Sequence, residues 1–306
     1  NAMSEREHDL SLLQDSDFAS PLERVNFAPG MLLGVEATQA EQAYHRRKLN
    51  RHRYWLHGAG TILGFAVSLQ HSAETDPDKT VNIKLLVAPG VGIDGLGREV
   101  TSFEPYCLSL NDWIEAQLQD PLNTRYLSEG LNADKNQLSL LITMRQSDCP
   151  SAFQPVMAKA VNAGTDAVTH SRNKECLFLE VQAAPLPQNE WQWGAHQPSD
   201  NFDSAKLTPT EQAYVDSLSV EQQTLIKRQS ALVYALPENS NALKSAGDPQ
   251  TIARTLLAQL TLEIEPLALP NIVPIINPQR ITLNNLVRPF VTSADARIWL
   301  SEKESV

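Results

Sequence analysis

The chain has 306 residues, enough for one large domain or two ordinary ones with a real core. Its formal net charge of −11 argues against general nucleic-acid binding, because neutralising phosphates needs a positive field. Cys107, Cys149 and Cys176 lie far apart with no C-x-x-C pair, which argues against a zinc ribbon or disulfide framework and fits reduced thiols in a cytoplasmic protein.

Residues 4–23 are polar and acidic apart from Leu10, Leu12, Leu13 and Phe18, and are expected to form a flexible N-terminal arm. A Pro29-Gly30 turn then leads to a predicted helix from Glu36 to His57. Glu36 and Glu41 occupy its early turns, whereas Arg46, Arg47, Lys48, Arg51 and Arg53 fill its later ones, the order that the helix dipole favours. Gly58 supplies the stop. His45, Leu49, His52 and Leu56 recur at helical spacing and are read as a core-facing stripe, flanked by Tyr44 and Trp55.

A glycine-punctuated strand is expected from Thr61 to Val67, followed by a polar loop, His71 to Thr80. Val81, Ile83, Leu85 and Val87 alternate as in a half-buried strand. Asp94-Gly95-Leu96-Gly97 marks a tight turn, from which Arg98 to Phe103 returns. A short helix opens at Ser109 and runs to about Leu118. Gln137–Arg145 and Glu175–Val181 are further strands, joined by a loop containing Cys149-Pro150 and Pro155. Residues 24–184 therefore read as an α+β module, a long helix packed on a mostly antiparallel β-sandwich or small barrel.

Residues 185–206 form an aromatic-flecked linker carrying Trp191 and Trp193. Residues 207–306 read as a helical module. Capping boxes at Thr208–Glu211 and Ser219–Gln222 open helices of roughly 209–218 and 220–235. Asp248-Pro249 caps a third, to about Leu262. From Glu265, Pro266, Pro270, Pro274, Pro278 and Pro289 interrupt a strongly apolar run, forbidding both a regular helix and a central strand. Such a tail is expected to lie along a surface, its own or a neighbour's.

No apolar run approaches the ~20 residues needed to cross a bilayer, so no membrane partner is expected. His45 and His52 lie seven positions apart, ~10 Å of helical rise, too far for one ion without a bend. Imidazoles hydrogen-bonded at the core edge are the better reading. Gly90-Val-Gly92-Ile-Asp-Gly95 satisfies G-x-G-x-x-G, but a turn and a strand follow instead of the helix that would hold a pyrophosphate. There is no G-x-S-x-G elbow, S-x-x-K or Walker lysine, and Cys149 alone sits in a plausible nucleophile setting. No cofactor or metal is implied. The candidate residues are therefore partner-binding ones: Arg46, Arg47 and Arg51 of the basic helix face, and Leu267, Leu269, Ile272, Ile275 and Ile276 of the tail.

The segments RVNFAPGMLL, EQAYHRRKLNRHRYWLHGAGTILGFAV and VAPGVGIDGLGREV together resemble an uncharacterised family associated with phage-tail-like contractile injection systems. QLSLLITMRQSDCPSAFQPV and VTHSRNKECLFLEV look like that family's later strands, so the similarity covers roughly residues 24–184. The resemblance implies a baseplate- or tail-associated protein whose partners are other subunits of a tail-like particle assembled in the cytoplasm. With the missing catalytic signatures, it points to a non-enzymatic structural or assembly component, itself a homo-oligomer. The alternative is a hydrolase of cell-wall or carbohydrate material, built on Trp191, Trp193 and a carboxylate pair assembled in three dimensions.

Overall fold

The computed structural model describes residues 12, 15–17, 21–71, 76, 79–119, 126–155, 168–185, 207–220, 222, 223, 226, 248–265 and 274–291. Helix α1 spans Val35–His57, one residue longer than expected, and stops where the Gly58 N–H (φ 76°) donates to the Tyr54 carbonyl at 2.9 Å. Its buried positions are Asn50 and Tyr54, whereas Leu49 and Leu56 are 47 % and 63 % exposed. The stripe of His45, Leu49, His52 and Leu56 therefore faces outward, contrary to expectation. The buried face is instead the one carrying Asn50 and Tyr54, with Arg46, Arg47, Arg51 and Arg53 half-buried beside them.

The expected strand Thr61–Val67 is two strands, β1 (Gly60–Gly64) and β2 (Val67–His71), in different sheets. A corner with positive φ at Gly64 (74°) and Phe65 (53°) separates them and drives the Phe65 ring into the core. Buried Arg288 holds this corner, donating from Nη1 to the Phe65 carbonyl at 2.8 Å and the Gly64 carbonyl at 3.3 Å. Burial lowers the Arg288 pKa to about 10.

In chain order there follow β3 (Ile83–Val87), β4 (Gly90–Ile93), β5 (Glu99–Ser102), β6 (Tyr106–Ser109), α2 (Leu110–Gln119), β7 (Leu131–Asn132), β8 (Gln137–Pro155) and β9 (Val168–Ala183). Then come α3 (Pro209–Asp216), α4 (Pro249–Ile252), β10 (Arg254–Glu263) and β11 (Ile281–Asn284). The strands form three antiparallel sheets, ordered β1-β4-β5, β2-β3-β6 and β11-β10-β8-β7, with β9 also paired to β8. The α+β class is thus observed, with a long N-terminal helix and several small antiparallel sheets. One core joins Leu138, Leu140, Ile142 and Met144 of β8 to Leu260 and Leu262 of β10, Ile83, Leu85 and Val87 of β3, and Leu110 and Ile114 of α2.

The expected hairpin turn is present: β4 and β5 pair from Gly90↔Ser102 to Ile93↔Glu99, and Asp94 closes the connection. The strands expected to end at Arg145 and begin at Glu175 instead extend through Pro155 and Val168, so Cys149-Pro150 lies within β8 and not in a loop. Pairing with β10 ends at Arg145, so Pro150 interrupts no second ladder there.

The C-terminal third also departs from expectation. Asp248 does cap a helix, its carboxylate accepting from the Thr251 N–H at 2.9 Å, but α4 ends at Ile252. Residues 254–263, expected to be helical, form β10, which lies between β8 and β11. Pairing from Arg254↔Arg145 to Glu263↔Gln137 buries Leu256, Leu260 and Leu262 and outweighs local helix propensity. Helix α3 carries both arms of its predicted Thr208–Glu211 capping box. Most of the expected helix 220–235, and the linker beyond Pro185, lie outside the described residues. The N-terminal arm is not loosely held at the positions described: Leu12, Asp15 and Ser16 are buried, Leu12 against Leu96 and Ala253.

Candidate functional site

The basic residues of α1 meet this chain's own N-terminal segment. Arg46 Nε donates to Asp15 Oδ1 at 3.1 Å and Oδ2 at 3.3 Å. Arg47 Nη2 and Arg51 Nη2 donate to the Asp17 carbonyl at 2.7 and 2.9 Å, and Arg53 Nη2 to Glu99 Oε2 at 3.1 Å. Arg46, Arg47 and Arg51, expected to face a partner, are therefore engaged within the chain. Burial pushes the Asp15 carboxyl above its ordinary value despite the pull of Arg46.

Beneath the helix sits the β4–β5 turn. Asp94 is fully enclosed: its Oδ1 accepts from the Leu96 and Arg98 N–H groups at 2.9 and 2.8 Å, and its Oδ2 from Arg98 Nε at 2.7 Å. Burial raises the Asp94 pKa, opposed by Arg98. At Gly97 (φ 80°) a Cβ would lie 2.0 Å from the Asn50 carbonyl oxygen, so only glycine permits helix and turn to approach this closely.

Between α1, this turn and the β8–β9 hairpin lies a cleft of about 420 Å³. Arg46, Leu49, Asn50 and Arg53 form its helical wall, and Gln146, Asp148, Asn173 and Glu175 its hairpin wall. Asp15, Arg98 and Glu99 complete it. Asp148 and Glu175 stand directly opposite one another across the two strands. Gln146 Nε2 donates to Asp148 Oδ1 at 3.2 Å, which sets the orientation of the Gln146 amide. Sequence reasoning missed this site because its residues come from five separated segments; the Asp94–Arg98 spacing inside a double-glycine turn was the one local signal.

The tail residues fall into two groups. Ile276 is buried in the core and its carbonyl accepts from the Val81 N–H at 3.0 Å, while half-buried Ile275 donates its N–H to the Glu263 carbonyl at 2.8 Å. Both therefore close this chain's own fold instead of forming a docking arm. Leu267, Leu269 and Ile272, like Trp191 and Trp193, lie outside the described residues.

His45 Nε2 contacts Glu41 Oε1 at 3.0 Å on an exposed helix face, and among the described residues no His, Cys, Asp and Glu cluster has metal-binding geometry. Burial and the neighbouring Cys176 thiol raise the Cys149 pKa to about 11, which keeps it protonated and opposes a nucleophilic role. Among the described residues no helix is long and apolar enough to cross a membrane. No protein-family model and no curated protein matches the chain.

Proposed function

We propose that this protein is a structural or assembly component of a phage-tail-like apparatus, acting through protein–protein contacts with other subunits of the particle and with copies of itself. One structural observation carries the reading. Phe27, Met31, Leu32 and Leu33 are all exposed on the short segment leading into α1, as is Val35 at its first position, Leu32 at 93 % and Val35 at 73 %. This segment is positioned, since Val25 N–H donates to Glu41 Oε2 at 3.0 Å and Met31 N–H to the Ala28 carbonyl at 3.1 Å. A run of large apolar side chains held in water is costly unless a partner covers it. The same stretch lies within the residues 24–184 that resemble tail-associated proteins, so the exposed segment replaces the C-terminal tail as the docking element.

The test is co-expression with the tube, sheath and baseplate subunits of a phage-tail-like particle. A Leu32→Glu/Leu33→Glu variant is expected to fold with an unchanged circular-dichroism spectrum but to lose co-purification with those subunits. Co-purification at the wild-type level would overturn the reading. Light scattering on the purified chain reads the self-association separately.

A further inference from the structure

A second apolar cluster is exposed on the β1-β4-β5 sheet. The register sets Leu63 beside Val91 and Val91 beside Thr101, so the three form one row on one face. Leu63 is 72 % exposed, and Phe103, two positions past Thr101, is 89 % exposed. This row lies towards the C-terminal end of α1. Gly97 packs on Asn50 and Glu99 accepts from Arg53, so β5 and α1 advance in the same direction and residues 101–103 continue beyond Arg53. The apolar segment Phe27–Val35 lies at the other end of the helix, where Val25 is tied to Glu41. From Val35 to Arg53 the helix rises about 27 Å, so neither cluster covers the other within one chain.

We propose that the chain associates with itself head to tail, the Phe27–Val35 segment of one copy covering the Leu63–Val91–Phe103 row of the next. The inference rests on the self-association in the assembly reading and names its two surfaces. Area supports a second copy as the occupant. The five large apolar side chains of the segment expose on the order of 500 Å², a large part of the ~800 Å² that each partner gives to a standard interface. Charge supports it as well. Arg24 is the only Lys or Arg between residues 21 and 44, and Glu104 directly follows Phe103. Both are exposed, and neither forms an ion pair among the described residues. Glu23 and Glu36 also flank the segment, so setting Arg24 against Glu104 fixes the direction in which it lies across the sheet. Because the two surfaces differ, the contact is heterologous. Each added copy leaves one segment and one row open, which extends the assembly into a ring or a filament.

Light scattering on two variants of the full chain tests it. Leu32→Glu/Leu33→Glu disables the segment and Leu63→Glu/Phe103→Glu disables the row; all four positions are exposed, and circular dichroism checks that both variants fold. At about 100 μM the wild-type chain is expected to form species larger than two copies, and each variant alone to stay at the single-chain mass of 33.9 kDa. An equimolar mixture of the two variants is expected to give dimers and nothing larger, because one intact segment still meets one intact row. Arg24→Glu is expected to weaken self-association at least about tenfold, and Arg24→Glu/Glu104→Arg to restore it. A mixture that stays monomeric would overturn the proposal. A Leu63→Glu/Phe103→Glu variant that still dimerises alone would overturn it in favour of a two-fold contact between segments. A monomeric wild type that co-purifies with particle subunits would overturn this inference and leave the assembly reading standing. Complementation between the variants without such co-purification would do the reverse.

Discussion

Two regions of the molecule are held together by opposite means. In the β8–β10 ladder, Leu138, Leu140, Ile142, Leu260 and Leu262 are fully buried, and even its charges are shared, Arg145 and Arg254 both donating to Glu180 at 2.9 and 2.6 Å. At the seat of α1, the buried contacts are arginine to carboxylate or carbonyl, and Arg47 Nε, Asn50 Nδ2, Arg98 Nη2 and Gln146 Oε1 go unsatisfied among the described residues. The sheet gains from every buried methylene, whereas the helix seat spends desolvation on charges it only partly pairs. A region of the second kind is cheap to perturb and can gain from a ligand, which is where local opening and binding are expected to concentrate.

The comparison is sharpest when each region is damaged in its own way. Leu260→Ala removes a fully buried side chain from the centre of the sheet, where neighbours on β8 and β3 cannot collapse into the gap. The expected loss is about 3 kcal/mol, read as a lower urea midpoint. Gly97→Ala comes next. Its Cβ would meet the Asn50 carbonyl at 2.0 Å and its φ of 80° is unsuited to alanine, so α1 must lift from the turn. About 2 kcal/mol is expected, with hydrogen exchange accelerating in α1 before the sheet. Uniform acceleration would mean that helix and sheet open as one unit.

Arg46→Ala probes the charged seat itself, leaving the buried Asp15 carboxylate without its partner, at a cost of about 1–2 kcal/mol at neutral pH. The pH dependence distinguishes this from lost packing. The folded pKa of Asp15 is already raised by burial, and removing Arg46 raises it further. A raised folded value contributes stability that is fully present below the unfolded value of about 3.9 and is lost as pH rises through the folded one. The Arg46→Ala deficit, measured against wild type, should therefore be largest near neutrality and shrink as pH falls towards 4. A deficit constant with pH would assign it to packing of the arginine stem.

The contrast also explains what the residues disclosed. Period-two alternation at Ile83, Leu85 and Val87, and the double-glycine turn after Asp94, report local rules that the sheet obeys. Strand β10 escaped because Leu256, Leu257, Ala258 and Leu260 are good helix formers behind a genuine Asp248 cap. Only pairing with residues 137–145, far away in the chain, makes them a strand. The cleft escaped for a related reason, since Asn50, Arg98 and Gln146 are unremarkable singly and acquire meaning only when brought together. The buried face of α1 leaves no apolar period in the sequence, because it consists of Asn50 and Tyr54 among half-buried arginines.

Leu49 and Leu56 therefore give the smallest effect and the most direct check of that correction. A core-facing stripe would make Leu56→Ala cost as much as a sheet leucine, about 2–5 kcal/mol. On the observed face, 63 % exposed, the substitution removes little area from a protein interior and improves helix propensity slightly. The expected change is within about 0.5 kcal/mol of wild type in urea. Leu49→Ala, at 47 % exposed, should be equally mild for stability. A large loss from Leu56→Ala would mean that something covers this face of the helix. The natural cover is a second copy or a particle subunit, and that loss would then depend on protein concentration or on the presence of the partner.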